Sequence, residues 1–140
     1  MANEAVLRQK MSNPIDWTVA DATAVTKGAI CKMTDPRTAI LSDGGAQPVA
    51  GIAARDKVAS DGRTNLAFYY DGIFDVVASG AINLGAWCET GDTGSLNYVQ
   101  QAKIFTSGGA PYVSSSGAQL LGKALETASD NETFQMRLML

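Results

Sequence analysis

The chain has 140 residues, 46% hydrophobic and 18% charged, with a net charge of −3; this is one ordinary domain's worth of sequence with enough apolar content for a core. Its 11 basic residues are scattered, which excludes a basic surface tracking a phosphate backbone, and no apolar run is long enough to cross a bilayer as a helix. Histidine is absent, so Ser-His-Asp and Cys-His triads and Cys/His zinc sites are excluded, and only lysine- or carboxylate-based chemistry is left.

From the N-terminus, MANEAVLRQK carries Glu4 and no apolar core segment, so it does not read as a secretory leader. Synthesis in the cytoplasm with free thiols is the expectation. Residues 2–10 have the composition for two helical turns, which Asn13-Pro14 would end. Ile15 and Trp17 follow in a stretch with no clear period. Residues 1–24 are read as an extended arm, and 25–140 as a single β-sandwich domain. Ile15 and Trp17 then either cap the end of the core or anchor the arm on a partner.

Beyond residue 25, short apolar runs are cut by Gly, Asp, Ser and Asn, the pattern of many strands and tight turns. Strands are expected at 29–34, 38–42, 48–54, 86–89, 96–101, 103–106 and 119–127. In 64–79, Leu66, Phe68 and Tyr70 alternate before Asp71-Gly72. That dipeptide favours a type I′ hairpin because both turn residues need positive φ; the rival is one long strand with a bulge at Gly72. Residues 107–117 are Gly- and Ser-rich and read as a long surface loop. This loop carries Tyr112, a rigid aromatic suited to an interface. At the C-terminus Phe134, Met136, Leu138 and Leu140 alternate with polar residues, a strand with one buried face.

The chain also resembles itself. Gly28-Ala29-Ile30-Cys31 matches Gly85-Ala86-Trp87-Cys88. In the same order, 40–46 matches 104–110, Gly51-Ile52-Ala53 matches Gly122-Lys123-Ala124, and Leu66-Ala67-Phe68 matches Phe134-Gln135-Met136. A degenerate duplication explains this order, and it makes Cys31 and Cys88 equivalent positions on equivalent strands. As such they are small buried hydrophobes; a disulfide needs close Cα atoms that a sequence cannot supply. The expected class is all-β: a jelly-roll-like double-sheet sandwich or a partly closed β-barrel, built from two duplicated halves, with the extended N-terminal arm.

Few residues offer chemistry. Gly44-Gly45 and Gly108-Gly109 lack the Lys-Ser/Thr and helix of a phosphate loop. Glu89, Asp92, Asp130 and Glu132 match no calcium-loop spacing. Asp71 and Asp75 could form an acid pair for glycoside hydrolysis, with nothing else in support. Asn131-Glu132-Thr133 is a formal glycosylation sequon that matters only in a secreted eukaryotic protein. No catalytic residue, cofactor or metal is expected.

The motif order carries a resemblance. Residues 15–33 hold Trp17-Thr18-Val19-Ala20 and a Lys27-Gly28 before a strand. Val49-Ala50-Gly51-Ile52-Ala53, Asp71-Gly72-Ile73-Phe74 and Leu121-Gly122-Lys123-Ala124-Leu125 follow. From about residue 15 to the end this order resembles the small head decoration, or capsid cement, proteins of tailed bacteriophages. The resemblance implies a non-enzymatic structural protein on the outer surface of the virion capsid. It would bind major capsid protein subunits, staple neighbours against internal DNA pressure, and form a homodimer or homotrimer on a local symmetry axis. No nucleic acid or membrane contact is implied, and Ile15, Trp17 and Tyr112 are the candidate partner-binding residues. The alternative is a carbohydrate-binding or tail- or fibre-associated β-sandwich module; a hydrolase using only carboxylates is a third reading.

Overall fold

The computed structural model describes residues 4–45, 47–91, 97–102 and 120–140, together with the backbone of 104–107 and 110–113. The strands run in chain order as β1 (Val6–Lys10), β2 (Ile15–Thr18), β3 (Ile30–Thr34), β4 (Thr38–Leu41), β5 (Val49–Ala53), β6 (Asn65–Tyr69) and β7 (Asp71–Ala78). They continue as β8 (Trp87–Thr90), β9 (Tyr98–Gln101), β10 (Ile104–Ser107), β11 (Ala110–Val113), β12 (Leu120–Ala124) and β13 (Thr133–Met139). No helix occurs among the described residues. The all-β expectation holds, and its form is two small closed barrels.

The first barrel closes in the order β2-β4-β3-β5-β6, and the second in the order β7-β9-β8-β12-β13. Replacing β2, β3, β4, β5 and β6 by β7, β8, β9, β12 and β13 converts one ring into the other. Each ring has one parallel pairing, at Thr18↔Thr38 in the first and at Val77↔Tyr98 and Ala78↔Val99 in the second. Each has the same cysteine–glycine pair, Cys31↔Gly51 and Cys88↔Gly122. Each is tied outside the strands by one isolated bridge, Val25↔Lys57 or Ile82↔Ala128. Even the strained turn positions repeat: Gly28 (φ +86°) with Gly85 (+77°), and Ser60 (+59°) with Asn131 (+63°).

The matches at Gly28/Gly85, Gly51/Gly122 and Leu66/Phe134 therefore fall on equivalent places. The match of Ile40 with Ile104 does not. The partner of β4 is β9, since both lie beside the parallel strand of their ring, and β10–β11 is a separate hairpin inserted in the second half. Two Gly-Gly pairs alike in composition account for the false match.

Four other expectations change. Residues 6–10 form no helix: β1 is a strand on the edge of β7, pairing Val6 with Asp75 and Lys10 with Gly72. So short a helix is marginal alone, whereas β7 offers a ladder edge. Nor is the segment up to residue 24 a free arm, because β2 is a full stave of the first barrel, paired from Ile15↔Phe68 to Thr18↔Asn65. Asp71-Gly72 is no hairpin turn; β6 and β7 belong to different barrels and the chain passes between them at Tyr70. Gly72 has a backbone conformation (φ +142°) that strains an L side chain, and Gln9 O lies 3.0 Å from where a Cβ would sit, a tight approach. Part of the expected loop at 107–117 is strand, with Phe105↔Tyr112 in register in the β10–β11 hairpin; residues 108–109 and 114–117 lie outside the described residues.

The C-terminal alternation is as expected through Leu138. Phe134, Met136 and Leu138 are buried, but Leu140 lies past the strand end and is 45% exposed. Burial of each such side chain contributes about 1.5–3 kcal/mol.

The barrels have separate interiors. Val19, Val25, Cys31, Leu66 and Phe68 fill the first; Phe74, Val76, Cys88, Phe134 and Met136 fill the second. The two are also fused. Ile30 and Ile52 are directly opposed on adjacent strands, on the opposite face from Cys31, and they belong with Val49 to the core of the second barrel. Tyr69, opposite Ile52 on β6, sets its ring edge-on to Phe74 with centroids 5.6 Å apart. Gln47 N–H donates to Thr90 Oγ1 (2.9 Å) and Asn97 Nδ2 donates to Glu4 O (3.3 Å) across the same junction.

At Gly51 a methyl group would run into the carbonyl oxygen of Tyr69, and at Gly122 into that of Arg137. Tyr69 and Arg137 are themselves equivalent residues of β6 and β13. Gly51→Ala and Gly122→Ala should each lower the melting temperature by at least ~10 °C. Gly62→Ala, at φ +80° with nothing within 4 Å, should lower it by about 3–6 °C through backbone strain alone. Equal shifts for all three variants in a thermal melt would remove the close-approach argument.

Candidate interaction surfaces

Ile15 and Trp17 lie two residues apart on β2, opposite Phe68 and Leu66. Ile15 is 37% exposed. Trp17 is half-buried and packs on the first core, the placement that the capping alternative describes; meeting a partner is a separate matter. One face of its indole is covered by the Arg37 guanidinium, 5.7 Å from the ring centroid. Arg37 is held there by donating from Nη2 to Asp16 O (3.2 Å). Trp17, Met33, Thr34, Asp35 and Arg37 line a groove of about 310 Å³, while the indole N–H has no partner among the described residues. A ring already stacked by a cation leaves little face for a sugar. Tyr112 belongs to β11 on the inserted hairpin, and its side chain lies outside the described residues.

A second surface went unremarked in the sequence. With Cys88 pointing into its barrel, its neighbour Trp87 must point out, and Trp87 is 37% exposed. It stands opposite Lys123 on β12, whose ammonium lies 6.0 Å from the indole centroid. Leu84 (68% exposed) and Leu125 (41% exposed) are at the neighbouring ends of the same strands. Alternation about Cys88 was the signal that could have found this patch.

The acidic candidates are engaged separately. Asp75 accepts from Arg8 Nε (2.6 Å) and Asp71 pairs with Arg137 Nε at 3.5 Å, so β7 presents two ion pairs rather than two free carboxyls. Asp130 accepts from Gly80 N–H (2.8 Å), tying two distant loops, and Glu132 accepts from Ser129 N–H (2.7 Å), closing a turn. Buried Glu89 accepts from Gln100 Nε2 (2.8 Å). Asp92 and Gly108-Gly109 lie outside the described residues. No three of His, Cys, Asp and Glu gather in one place among the described residues.

Lys57 was also missed by the sequence reading. Its side chain is fully buried, and Nζ donates to the carbonyl oxygens of Asp21 (2.7 Å), Thr23 (3.1 Å) and Val58 (3.3 Å) beside Asp61 Oδ1 at 3.3 Å. A buried ammonium needs this full set of acceptors. It ties the turns at one end of the first barrel, where the second has Ala128.

Both cysteines are free, buried thiols, one in each core. Each Sγ leans on the carbonyl two residues back, Ala29 O at 3.8 Å and Ala86 O at 3.7 Å. Burial pushes both thiols from the ordinary 9.0 up to about 12, with the Glu89 charge adding to the rise at Cys88. Below pH 9 the thiols are protonated whether the chain is folded or not. Between pH 9 and about 12 the unfolded chain ionises and the folded one resists, so stability falls as pH rises through that window. The denaturation midpoint should therefore drop above pH 9, and the drop should shrink in the Cys31→Ala/Cys88→Ala double variant. An identical drop in both would mean that the thiols take no part. In the folded state neither thiol should react with a disulfide reagent at pH 8.

No family model matches the sequence, and no curated protein matches it. Among solved structures the chain is similar to the head fiber gp8.5 N base of bacteriophage phi29, with 14% identity, a TM-score of 0.51, and coverage of 89% of this chain and 92% of that one. At that identity the likeness is one of fold, and it spans both barrels.

Proposed function

We propose that this chain is a structural protein of a tailed-phage head, seated on the outer surface of the capsid and bridging neighbouring major capsid protein subunits. The observation that carries the reading is the fold over almost the whole chain, which it has in common with a protein described as the base of a head fibre. The order of glycine-centred motifs supports it as well. So does the site chemistry, since Asp71 and Asp75 are held in ion pairs and Asp130 and Glu132 accept backbone hydrogen bonds in loops. Many copies that each touch two subunits strengthen a shell through multivalency without tight single contacts.

A second reading is favoured by the description of the similar structure: a base that sits on the head and carries an appendage, adding nothing to the shell's strength. Co-sedimentation with expanded, undecorated heads separates the two. A cement protein binds saturably near a small-integer ratio to the capsid subunit and raises the temperature at which heads rupture. A fibre base binds saturably and leaves that temperature unchanged. Absence of binding to heads of the phage encoding it overturns both.

A further inference from the structure

The junction between the barrels is a contact between two different surfaces. The first barrel gives an outer face, Ile30, Ile52 and Tyr69 on β3, β5 and β6. The second barrel gives Phe74 and Thr90, which meet Tyr69 and Gln47. Because the barrels are equivalent strand by strand, each surface has a counterpart on the other barrel, and among the described residues neither counterpart is joined to the other barrel.

The outer face recurs on the second barrel as Trp87, Lys123 and Arg137. The registers agree independently: Ile30 opposes Ile52 as Trp87 opposes Lys123, and Ile52 opposes Tyr69 as Lys123 opposes Arg137. Ile30 is 1% exposed and Trp87 37%. The receiving end recurs on the first barrel as Ile15, in place of Phe74, and Met33, in place of Thr90. Phe74 is 1% exposed and Ile15 37%. Among the described residues, the chain thus presents a partly exposed outer face on one barrel and a partly exposed receiving end on the other.

We propose that copies of this protein associate head to tail, the Trp87–Lys123 face of one docking on the Ile15–Met33 end of the next and repeating the contact that joins the barrels inside each chain. The charges are complementary. Lys123 is unpaired with any carboxylate among the described ion pairs, and Arg137 beside it is paired with Asp71. The opposing end carries exposed Asp16 and Asp35, with Arg37 turned onto Trp17. Exposed aromatic and aliphatic groups rimmed by charge are the usual composition of such a contact. Since the two surfaces differ, the contact is heterologous: it closes into a ring if the rotation per copy divides a full turn and otherwise extends as a chain. The proposal is independent of what the protein binds on a head.

The test is sedimentation velocity of the full chain with Trp87→Glu and Ile15→Glu, each checked for folding by its thermal melt. The unaltered protein should form concentration-dependent oligomers and each variant should be monomeric. An equimolar mixture of the two variants should give a dimer with one copy of each, because each retains one intact surface. A charge pair guards against local damage: Lys123→Glu should weaken association at least tenfold, and adding Asp35→Lys to that chain should restore most of it. An unaltered protein that stays monomeric, single variants that still oligomerise, or a mixture that stays monomeric would each overturn the proposal.

Discussion

Everything in this fold hangs on two places where a strand backbone has no room for a side chain. At Gly51 and Gly122 a neighbouring carbonyl, that of Tyr69 or of Arg137, occupies the space of a Cβ, while a cysteine stands directly across the ladder. A ring of only five strands must curl sharply, and it does so where side chains are smallest and a bulge interrupts the register. The register irregularity falls in the same place both times, after Cys31 in β3–β5 and between Leu120 and Gly122 in β12–β8. The cysteine is the other half of this economy. It is a small hydrophobe buried in the core of its barrel, so its thiol needs no chemistry to be present twice.

Duplication left the two barrels unequal in a useful way. The outer face of β3–β5 became apolar and merged with the second interior, so that Ile30 and Ile52 are core residues of a barrel they do not help to build. The second core is therefore completed by residues of the first half, and the single residue Tyr70 separates β6 from β7. Lys57 shows the divergence at the far end. A buried ammonium gathers three carbonyls in the first barrel where the second has only the methyl group of Ala128.

Most strands were legible because period-two alternation and glycine punctuation are local signals: Phe134, Met136 and Leu138 could be placed on one face from the sequence, and the Cys-Gly repeat could be aligned. The errors came where pairing across the molecule decides. Residues 6–10 have a helix former's composition and are a strand because β7 has an edge to offer. Asp71-Gly72 has a turn's composition, but its glycine answers a close approach from Gln9. The Ile40–Ile104 match failed because a hairpin was inserted between equivalent strands, and composition does not record insertions. The candidate residues divide similarly. Ile15 is exposed as an anchor would be, whereas Trp17 is tied into its own barrel and Arg37. The exposed Trp87 needed the facing of Cys88 before it could be seen.

One feature of the topology bears on load. β1 and β13 flank β7 on opposite sides and both run antiparallel to it, Val6 lying beside Asp75 and Met139 beside Asp71. The first and last strands thus exit at opposite ends of the same central strand. Tension applied between residue 6 and residue 140 acts along the strands and across the hydrogen bonds, which lie perpendicular to it. The seven residue pairs of β7 with β13 then share the pull at once instead of opening one after another. Strands arranged this way resist stretching as a shear joint does, whereas a hairpin pulled apart from its open end peels like a zip.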